Sequence, residues 1–245
     1  MDLKNRFSGG GDLESSGNRQ KLRIPAGSGA HYRLSQLDDY EGLRRSEYPW
    51  RPPLKLTLRA RVSSASLVGT WGFGLWNDPF GLSLGTGTSL LRLPAPPQAA
   101  WFFAASAKSY LSFRDDLPAS GFFAQALRSS PLNSTLLAAA LAFPFAPKTT
   151  RRMIGRLVQE DAMRIDSDPR AWRRYAVEWA PNHTAFSVDE ALLLASPVSP
   201  HPPLGLVVWI DNQYAAFDPT GKLRWGVEAS PEDSWLEIDE LQVVA

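Results

Sequence analysis

Asp211 is the carboxylate in this sequence that is best placed for acid–base chemistry. It follows residues 204–210, LGLVVWI, which are apolar at nearly every position, as in a central strand covered on both faces. Desolvation raises the pKa of a carboxylate in such a place, as a general acid or base at neutral pH requires. A salt bridge to one of the many arginines is the competing explanation. The sequence therefore makes Asp211 the candidate catalytic residue.

Aromatic and amide side chains accompany Asp211. If residues 204–214 form a strand, Trp209, Asp211 and Gln213 lie on one face, because successive side chains alternate between the two faces. Aromatic rings with a few polar neighbours suit a sugar ring, and they equally suit a largely apolar molecule held by polar anchors. A place in the hydrophobic core is the competing explanation for each tryptophan. The candidate ligand-binding residues are Trp71, Trp76, Asn77, Trp101, Trp209, Gln213, Tyr214 and Trp225.

Composition excludes several other kinds of chemistry. The chain has no cysteine, which excludes disulfides, zinc–thiolate sites and thiol catalysis. His31, His183 and His201 are scattered, and no spacing of His, Asp or Glu matches a metal site, so we expect neither a metal nor a cofactor. The formal net charge of +1 gives no reason to expect a nucleic-acid partner.

Period-two alternation identifies the strands that must position these residues. Residues 54–62 alternate apolar with polar side chains, which predicts a half-exposed strand. Residues 173–188 predict a hairpin with its turn at 181–183. In the segment 69–81, Gly72, Gly74 and Trp76 share one face of a strand. Glycines inside a strand usually mark the close approach of a ligand or another backbone, so we expect open space over this face.

The hairpin segment also carries a resemblance to a known family. It has the pattern Tyr-x-Val-x-Trp-x-Pro from Tyr175, followed by Phe-x-Val-Asp and a proline-rich link into an apolar strand. This resembles the concanavalin A-like lectin/glucanase superfamily, and most closely the jelly rolls of glycoside hydrolase family 16. Residues 54–76 and 235–244 are similar to that family's Trp-rich strand region and closing strand. The resemblance covers about half of the chain.

The resemblance implies a concave cleft for carbohydrate and a retaining mechanism. That mechanism needs two carboxylates about 5 Å apart, which the family carries as Glu-x-Asp-x-x-Glu or Glu-x-Asp-x-Glu on the strand after the Trp-rich one. Residues 80–115 contain no such pattern. The nearest match, at 237–242, falls on the closing strand and ends in Gln. The chain therefore departs from the family at its catalytic motif.

The predicted organisation is one all-β domain, an antiparallel β-sandwich jelly roll of the concanavalin A-like type. Residues 1–20 are rich in Gly and Ser and are expected to form a disordered leader before a single domain at 21–245. Proline punctuation predicts a helical insertion at about 117–166, with helices over 122–128, 134–143 and 150–163. Residues 136–146 are apolar all round and could pack on the sheet, form a lid or touch a membrane surface within 134–158.

Three hypotheses for function follow. The first is a carbohydrate-binding protein that lacks the usual carboxylate pair, or a glycoside hydrolase-like enzyme with relocated acids. The second is a small-molecule protein or enzyme in which the insertion closes the cleft into an apolar pocket for a terpenoid- or lipid-like ligand. The third is an interaction protein that uses the insertion. The N-terminus has no apolar run typical of a secretory signal, so a cytoplasmic location is expected.

Overall fold

The computed structural model describes residues 2–79, 95–130 and 147–245, and in them the chain builds two seven-stranded antiparallel sheets. Sheet 1 contains, in spatial order, β1 (Lys4–Ser8), β4 (Leu34–Asp38), β13 (Gly205–Asp211), β6 (Thr70–Trp76), β7 (Gln98–Ala105), β8 (Gly121–Ser129) and β9 (Val158–Arg164). Sheet 2 contains β12 (Ala191–Ser196), β11 (His183–Val188), β10 (Arg173–Ala180), β5 (Leu54–Val62), β16 (Ser234–Val244), β3 (Arg19–Ile24) and β2 (Asp12–Ser16).

A hairpin, a helix and a 3-10 turn complete the described fold. A hairpin of β14 (Gln213–Phe217) and β15 (Leu223–Val227) follows sheet 1 directly after β13. Helix α1 (Pro147–Leu157) leads into β9, and a 3-10 turn occupies Arg45–Glu47. This arrangement confirms the predicted antiparallel jelly-roll sandwich with a short helix. Within the described residues, no helix combines the length and hydrophobicity needed to cross a membrane.

The main core lies between the two sheets. Alternation along β5 sends Leu54, Leu56 and Leu58 inward, while the polar side chains between them face solvent. Tyr175 of β10 crosses the layer and contacts Phe73 and Phe102 of sheet 1, each with ring centroids 5.0 Å apart. Each such buried side chain contributes about 1.5–3 kcal/mol, so this layer supplies most of the favourable free energy of folding.

Residues 4–8 and 12–16 are strands, and a third strand begins at Arg19, which corrects the expected disordered leader. β1 pairs with β4 at the edge of sheet 1, and β2 pairs with β3 at the edge of sheet 2. Gly9 and Gly10 adopt φ of +56° and +86°, a conformation that suits glycine, and they pass the chain from one sheet to the other. Edge strands need few apolar residues, and cross-strand ion pairs such as Arg23–Asp12 hold β2, so hydrophobic patterning did not reveal these strands.

The described parts of the predicted insertion contain two strands as well as a helix. Residues 122–128 lie in β8 and not in a helix, and the helix predicted over 150–163 ends at Leu157 and continues as β9. β8 is buried on both faces, so its sequence is apolar without alternation and resembles a buried helix. The helix predicted at 134–143, and the apolar stretch 136–146, lie outside the described residues.

Asn212 joins three segments behind β13. Its side chain is fully buried, and its Oδ1 accepts from the Arg33 N–H at 2.8 Å. Its Nδ2 donates to the carbonyl oxygens of His31 at 3.0 Å and Glu228 at 2.9 Å. One amide therefore satisfies three backbone groups that have no strand partner at these positions.

We expect Asn212→Ala to lower the free energy of unfolding by about 3 kcal/mol, because it leaves buried backbone donors and acceptors unsatisfied. Asn182→Ala, at an exposed asparagine in the β10–β11 turn, is the matched control and should change it by less than about 0.5 kcal/mol. Urea unfolding of the two variants measures both values. Equal losses would show that the Asn212 hydrogen bonds do not carry the effect.

Candidate functional site

Three tryptophans cluster on the face of sheet 1 that points away from sheet 2, here called the outer face. Trp76 and Trp209 stack with an interplanar angle of 3° and centroids 6.1 Å apart. Trp101 lies 5.8 Å from Trp76 and 5.5 Å from Trp209, and Phe103 extends the cluster on β7. The structure thus brings together three of the predicted ligand-binding residues, as strand alternation on β6, β7 and β13 requires.

The glycines beneath this cluster make room for the protein's own side chains. A Cβ on Gly72 would lie 2.7 Å from the Trp209 indole, and one on Gly74 would lie 2.5 Å from Cα of Trp101. The space that Gly72 and Gly74 leave over the sheet is therefore occupied by Trp209 and by the β7 strand. This corrects the expectation of open space at this position.

The indole N–H groups of the cluster all have internal acceptors. Trp76 donates to the Tyr40 hydroxyl at 2.7 Å, Trp101 to Gln125 Oε1 at 2.8 Å, and Trp209 to Thr70 Oγ1 at 3.0 Å. Trp101 and Trp209 are only 7% and 6% exposed, whereas Trp76 is half-buried. Most of the outer face is thus a second hydrophobic core, and Trp76 is its partly exposed member.

Segments from three parts of the chain cover this second core. The 40–48 loop places Tyr40 and Tyr48 over it, with rings stacked at 4.8 Å. Leu111 and Phe113 pack from the loop that follows β7, and Ile154 packs from α1. Helix α1 therefore covers part of the outer face.

Asp211 lies at the end of β13 beside this core. Its Oδ1 accepts from the Thr70 hydroxyl at 2.8 Å, from the Thr70 N–H at 3.1 Å and from the Gln213 N–H at 3.1 Å. Its Oδ2 accepts from the Tyr32 hydroxyl at 3.3 Å. Burial raises its pKa to about 6, although these hydrogen bonds oppose the shift. The expected desolvated carboxylate is present, and it also ties β13 to β6.

Two further buried carboxylates lie on the outer face. Asp38 accepts from Gln36 Nε2 at 2.8 Å, and it closes the following turn by accepting from the Glu41 N–H. Glu160 on β9 accepts from Gln125 Nε2 at 2.7 Å. Burial raises the pKa of both groups. Sequence analysis missed Glu160 because its segment was taken as helix, and only the register of β8 and β9 places it here.

The three carboxylates are far apart. Asp38 lies opposite Val207 on β13, four residues from Asp211, which corresponds to about 13 Å along the strand. β9 is four strand spacings from β13, so Glu160 is about 19 Å from Asp211. Among the described residues, no three or more His, Asp or Glu side chains are grouped so as to hold a metal ion.

Four predicted site residues lie away from the cluster. Trp71 points into the main core and is 4% exposed. Gln213, Tyr214 and Trp225 belong to the β14–β15 hairpin beyond the end of sheet 1, where Trp225 is 66% exposed. Alternation predicted correctly which side chains of one strand share a face. It could not show that the chain leaves sheet 1 at residue 212.

A pocket of about 240 Å³ opens at the other end of sheet 1. It lies where β6 ends and β7 begins, next to Trp76 in both chain and register. Asn77, the remaining predicted residue, lines it. The lining also includes Arg45, Gln98, Ser130, His201 and Pro203.

Comparison with known proteins bears on this arrangement. No protein-family model matches the chain, and no curated protein matches it either. Among solved structures, LamAcat from Zobellia galactanivorans aligns with a TM-score of 0.50 and 12% identity over 95% of this chain and 80% of that chain. The fold is that of the concanavalin A-like jelly rolls.

A second solved structure agrees with this assignment of the fold. A variant of LamA from Z. galactanivorans in complex with laminaritriose and laminaritetraose aligns with a TM-score of 0.50 and 12% identity, over 94% of this chain and 80% of that chain. The resemblance to glycoside hydrolase family 16-like jelly rolls is therefore confirmed as a likeness of fold.

We expect Asp211→Asn to remove a pH dependence of stability between about pH 4 and 6. The folded pKa of about 6 exceeds the ordinary 3.8, so the native state binds more protons than the unfolded state in this window. The Asp211 carboxyl therefore favours folding at low pH and loses this contribution, on the order of 3 kcal/mol, as pH rises through 6. Unfolding free energies at pH 4.5 and 7 should shift in favour of the Asn variant at pH 7. A constant difference would contradict the raised pKa.

The packing of the outer face predicts that substitutions of two tryptophans will lower the free energy of unfolding by unequal amounts. Trp209→Ala should lower the free energy of unfolding by about 3–5 kcal/mol, because Trp209 fills the space over Gly72. Trp225→Ala, at the exposed hairpin tryptophan, should change it by less than about 0.5 kcal/mol. Thermal and urea unfolding test the pair. If Trp209→Ala were as stable as the parent, the outer face would not be a packed core.

Proposed function

We propose that this protein binds a carbohydrate at the Trp76 end of the outer face, and that it does so without the paired carboxylates of the glycosidases it resembles in fold. The observation that carries the proposal is the half-buried Trp76 indole at the end of β6, the end of the sheet at which a small pocket lined in part by Arg45, Asn77, Gln98 and His201 also opens. An aromatic face next to hydrogen-bonding groups suits a sugar ring, which has an apolar C–H face and a rim of hydroxyls.

The location differs from a cleft across the whole sheet. Trp101 and Trp209 are too deeply buried to stack on a sugar without a rearrangement of the second core. Trp76 borders this core and also precedes Asn77 in the pocket wall. A sugar ring could therefore stack on Trp76 while the second core stays packed.

The likeness of fold supports the choice of ligand class. The LamA variant was solved in complex with laminaritriose and laminaritetraose, and this chain shares its fold at 12% identity. We carry over only the class of ligand, an oligosaccharide.

The spacing of the buried carboxylates supports binding of a carbohydrate without the hydrolysis that glycosidases of this fold carry out. Retaining and inverting glycosidases hold their two carboxyl groups about 5 Å and about 6.5–9.5 Å apart, respectively. Asp38, Glu160 and Asp211 are separated by about 13 Å or more along the sheet. On β7, next to the Trp-rich strand, the outer-face positions are Ala99, Trp101, Phe103 and Ala105.

The near match to the catalytic motif lies in the wrong sheet. Glu237 and Asp239 belong to β16 of sheet 2, in which Glu237 pairs with Arg61 at 2.7 Å. Arg19 lies 3.6 Å from Glu237 and 3.7 Å from Asp239. These are cross-strand ion pairs on the side of the sandwich that faces away from Trp76. Asp211 stays the candidate for any acid–base role.

The apolar-ligand alternative requires a cavity under residues 118–165. In the described part of that segment, Phe123, Leu127, Val158 and Ala162 are buried against the outer face. These side chains are packed in the second core, which favours the carbohydrate proposal. Apolar ligands are therefore tested beside the sugars in the binding experiment.

We expect laminari-oligosaccharides to change the tryptophan fluorescence of this protein and to raise its melting temperature. Trp76→Ala should weaken binding at least tenfold, equivalent to about 1.4 kcal/mol, because it removes the ring on which the sugar stacks. Trp76→Phe, which keeps an aromatic face, should retain most of the affinity. Isothermal calorimetry on both variants measures this, with Trp225→Ala as the matched exposed-tryptophan control.

The outcomes separate the hypotheses. Equal losses from Trp76→Ala and Trp225→Ala would place binding elsewhere than at the outer face. A response to apolar metabolites but to no sugar would refute the carbohydrate proposal. Release of reducing sugar from a bound oligosaccharide would refute the proposed absence of hydrolysis.

A further inference from the structure

Three aromatic rings hold the indole of Trp76. It stacks on Trp209 with an interplanar angle of 3°, and the Trp101 ring lies 5.8 Å away. The Tyr40 ring meets it edge-on, at 62° and a centroid distance of 6.3 Å. A ring that is already held in its bound orientation loses little conformational freedom when a ligand stacks on it, so these contacts favour binding.

The indole N–H of Trp76 adds a directional contact. It donates to the Tyr40 hydroxyl at 2.7 Å, within the usual range for such a bond. Ring packing constrains the plane of the indole, whereas this hydrogen bond determines which edge of the indole faces Tyr40. The orientation of the Trp76 ring therefore depends on the Tyr40 hydroxyl as well as on packing.

Tyr40 is a rigid acceptor. Its side chain is fully buried and stacks on Tyr48 with centroids 4.8 Å apart. Gly205 on β13 makes room for it, because a Cβ there would lie 2.3 Å from Cδ1 of Tyr40. The Tyr40 N–H also donates to Asp38 Oδ1 at 3.2 Å, which fixes the backbone at the start of the 40–48 loop. The hydroxyl therefore has a defined position beside the end of β6.

Gln36 directs the Tyr40 hydroxyl. Its Nε2 donates to that hydroxyl at 3.2 Å and to Asp38 Oδ2 at 2.8 Å. Because the Trp76 and Gln36 N–H groups both point at the hydroxyl oxygen, they occupy its two lone pairs. Gln36, Asp38 and Tyr40 are at most 5% exposed, so water does not compete for these bonds. A buried chain of hydrogen bonds thus runs from β4 to Trp76.

Trp76 differs from the other two tryptophans of the cluster in its freedom to turn. Trp101 and Trp209 are enclosed by the second core, whereas Trp76 is half-buried at a strand end. An unsatisfied buried N–H is costly, so an indole that lost the Tyr40 acceptor would turn to place its N–H in water. That turn would change the part of the ring that a sugar meets.

We propose that Tyr40 is the positioning residue of the carbohydrate site: its hydroxyl holds the Trp76 indole in the orientation on which a sugar stacks. This inference rests on the proposed carbohydrate binding and adds the group that prepares the site for it. Since Tyr40 is fully buried, it acts through Trp76 and does not touch the sugar. The indole N–H is committed to Tyr40, so Trp76 offers the sugar a ring face and not a donor.

The first test is a double-mutant cycle on the affinity for laminari-oligosaccharides, measured by calorimetry. Tyr40→Phe keeps the ring and removes the acceptor, and we expect it to weaken binding about fivefold or more, because the Trp76 indole turns. In the Trp76→Phe background there is no indole N–H to position, so the same Tyr40→Phe change should alter the affinity by less than about twofold. Tyr175→Phe, at a buried tyrosine of the main core, is the matched control and should leave the affinity unchanged.

The second test uses the unaltered protein and so does not depend on the folding of a variant. Hydrogen exchange of the indole N–H groups is followed by NMR in the absence of sugar. The Trp76 N–H should be protected from exchange, because it is bonded to a buried acceptor, whereas the N–H of the exposed Trp225 should exchange rapidly. In the Tyr40→Phe variant, shown to be folded by circular dichroism, the Trp76 N–H should lose its protection while the Trp101 N–H keeps it.

Three results would overturn the inference while the proposed function stands. The first is a Tyr40→Phe variant that binds sugar as tightly as the parent. The second is an equal loss of affinity from Tyr40→Phe with and without Trp76→Phe, since Tyr40 would then act through the fold of its loop and not through the indole. The third is a Trp76 N–H that exchanges as fast as that of Trp225. Failure of every oligosaccharide to bind the parent protein would instead refute the proposed function itself, and the inference with it.

Discussion

The central strands of sheet 1 are buried on both faces, and this double burial determines how the rest of the molecule is built. One face packs on sheet 2, and the other lies under Tyr40, Tyr48 and helix α1. The arrangement depends on Gly72 and Gly74, since any side chain there would collide with Trp209 or Trp101. The tryptophans that might line an open cleft therefore rest directly on the backbone of the sheet. In this jelly roll the outer face is largely a core.

Double burial also explains the polar groups on that face. A polar group without water must find a partner inside the protein, because an unsatisfied donor or acceptor costs about 1–3 kcal/mol. The indole N–H groups bind Tyr40, Gln125 and Thr70, and Gln125 in turn donates to Glu160. Asp211 is held in the same way. Its raised pKa follows from burial, and a shifted pKa alone therefore does not distinguish a catalytic carboxylate from a structural one.

Because buried side chains fill the middle of the outer face, the side chains that a ligand can reach lie at the strand ends. At one end the hairpin exposes Trp225, and at the other a small pocket opens at the end of β6, the strand that ends in the partly exposed Trp76. The pocket has walls from the ends of β6, β7 and β8, held together by Asn77 and Gln98, and Arg45 and His201 also line it. A site built on strand ends keeps its geometry, and it can bind a ligand without disturbing the second core.

The sequence by itself determined the sandwich, because inward and outward residues alternate along β5, β10 and β6, and it determined that Trp209 and Asp211 share a face. Only the tertiary structure decided which segments pack over that face. Alternation predicts the face to which a side chain points, and it does not predict what packs on that face. It also revealed β8 and the edge strands β1 and β2, in which a fully buried and a highly polar sequence both lack the period-two signal. The meeting of Tyr40 with Trp76 depends on long-range pairing, which local sequence does not encode.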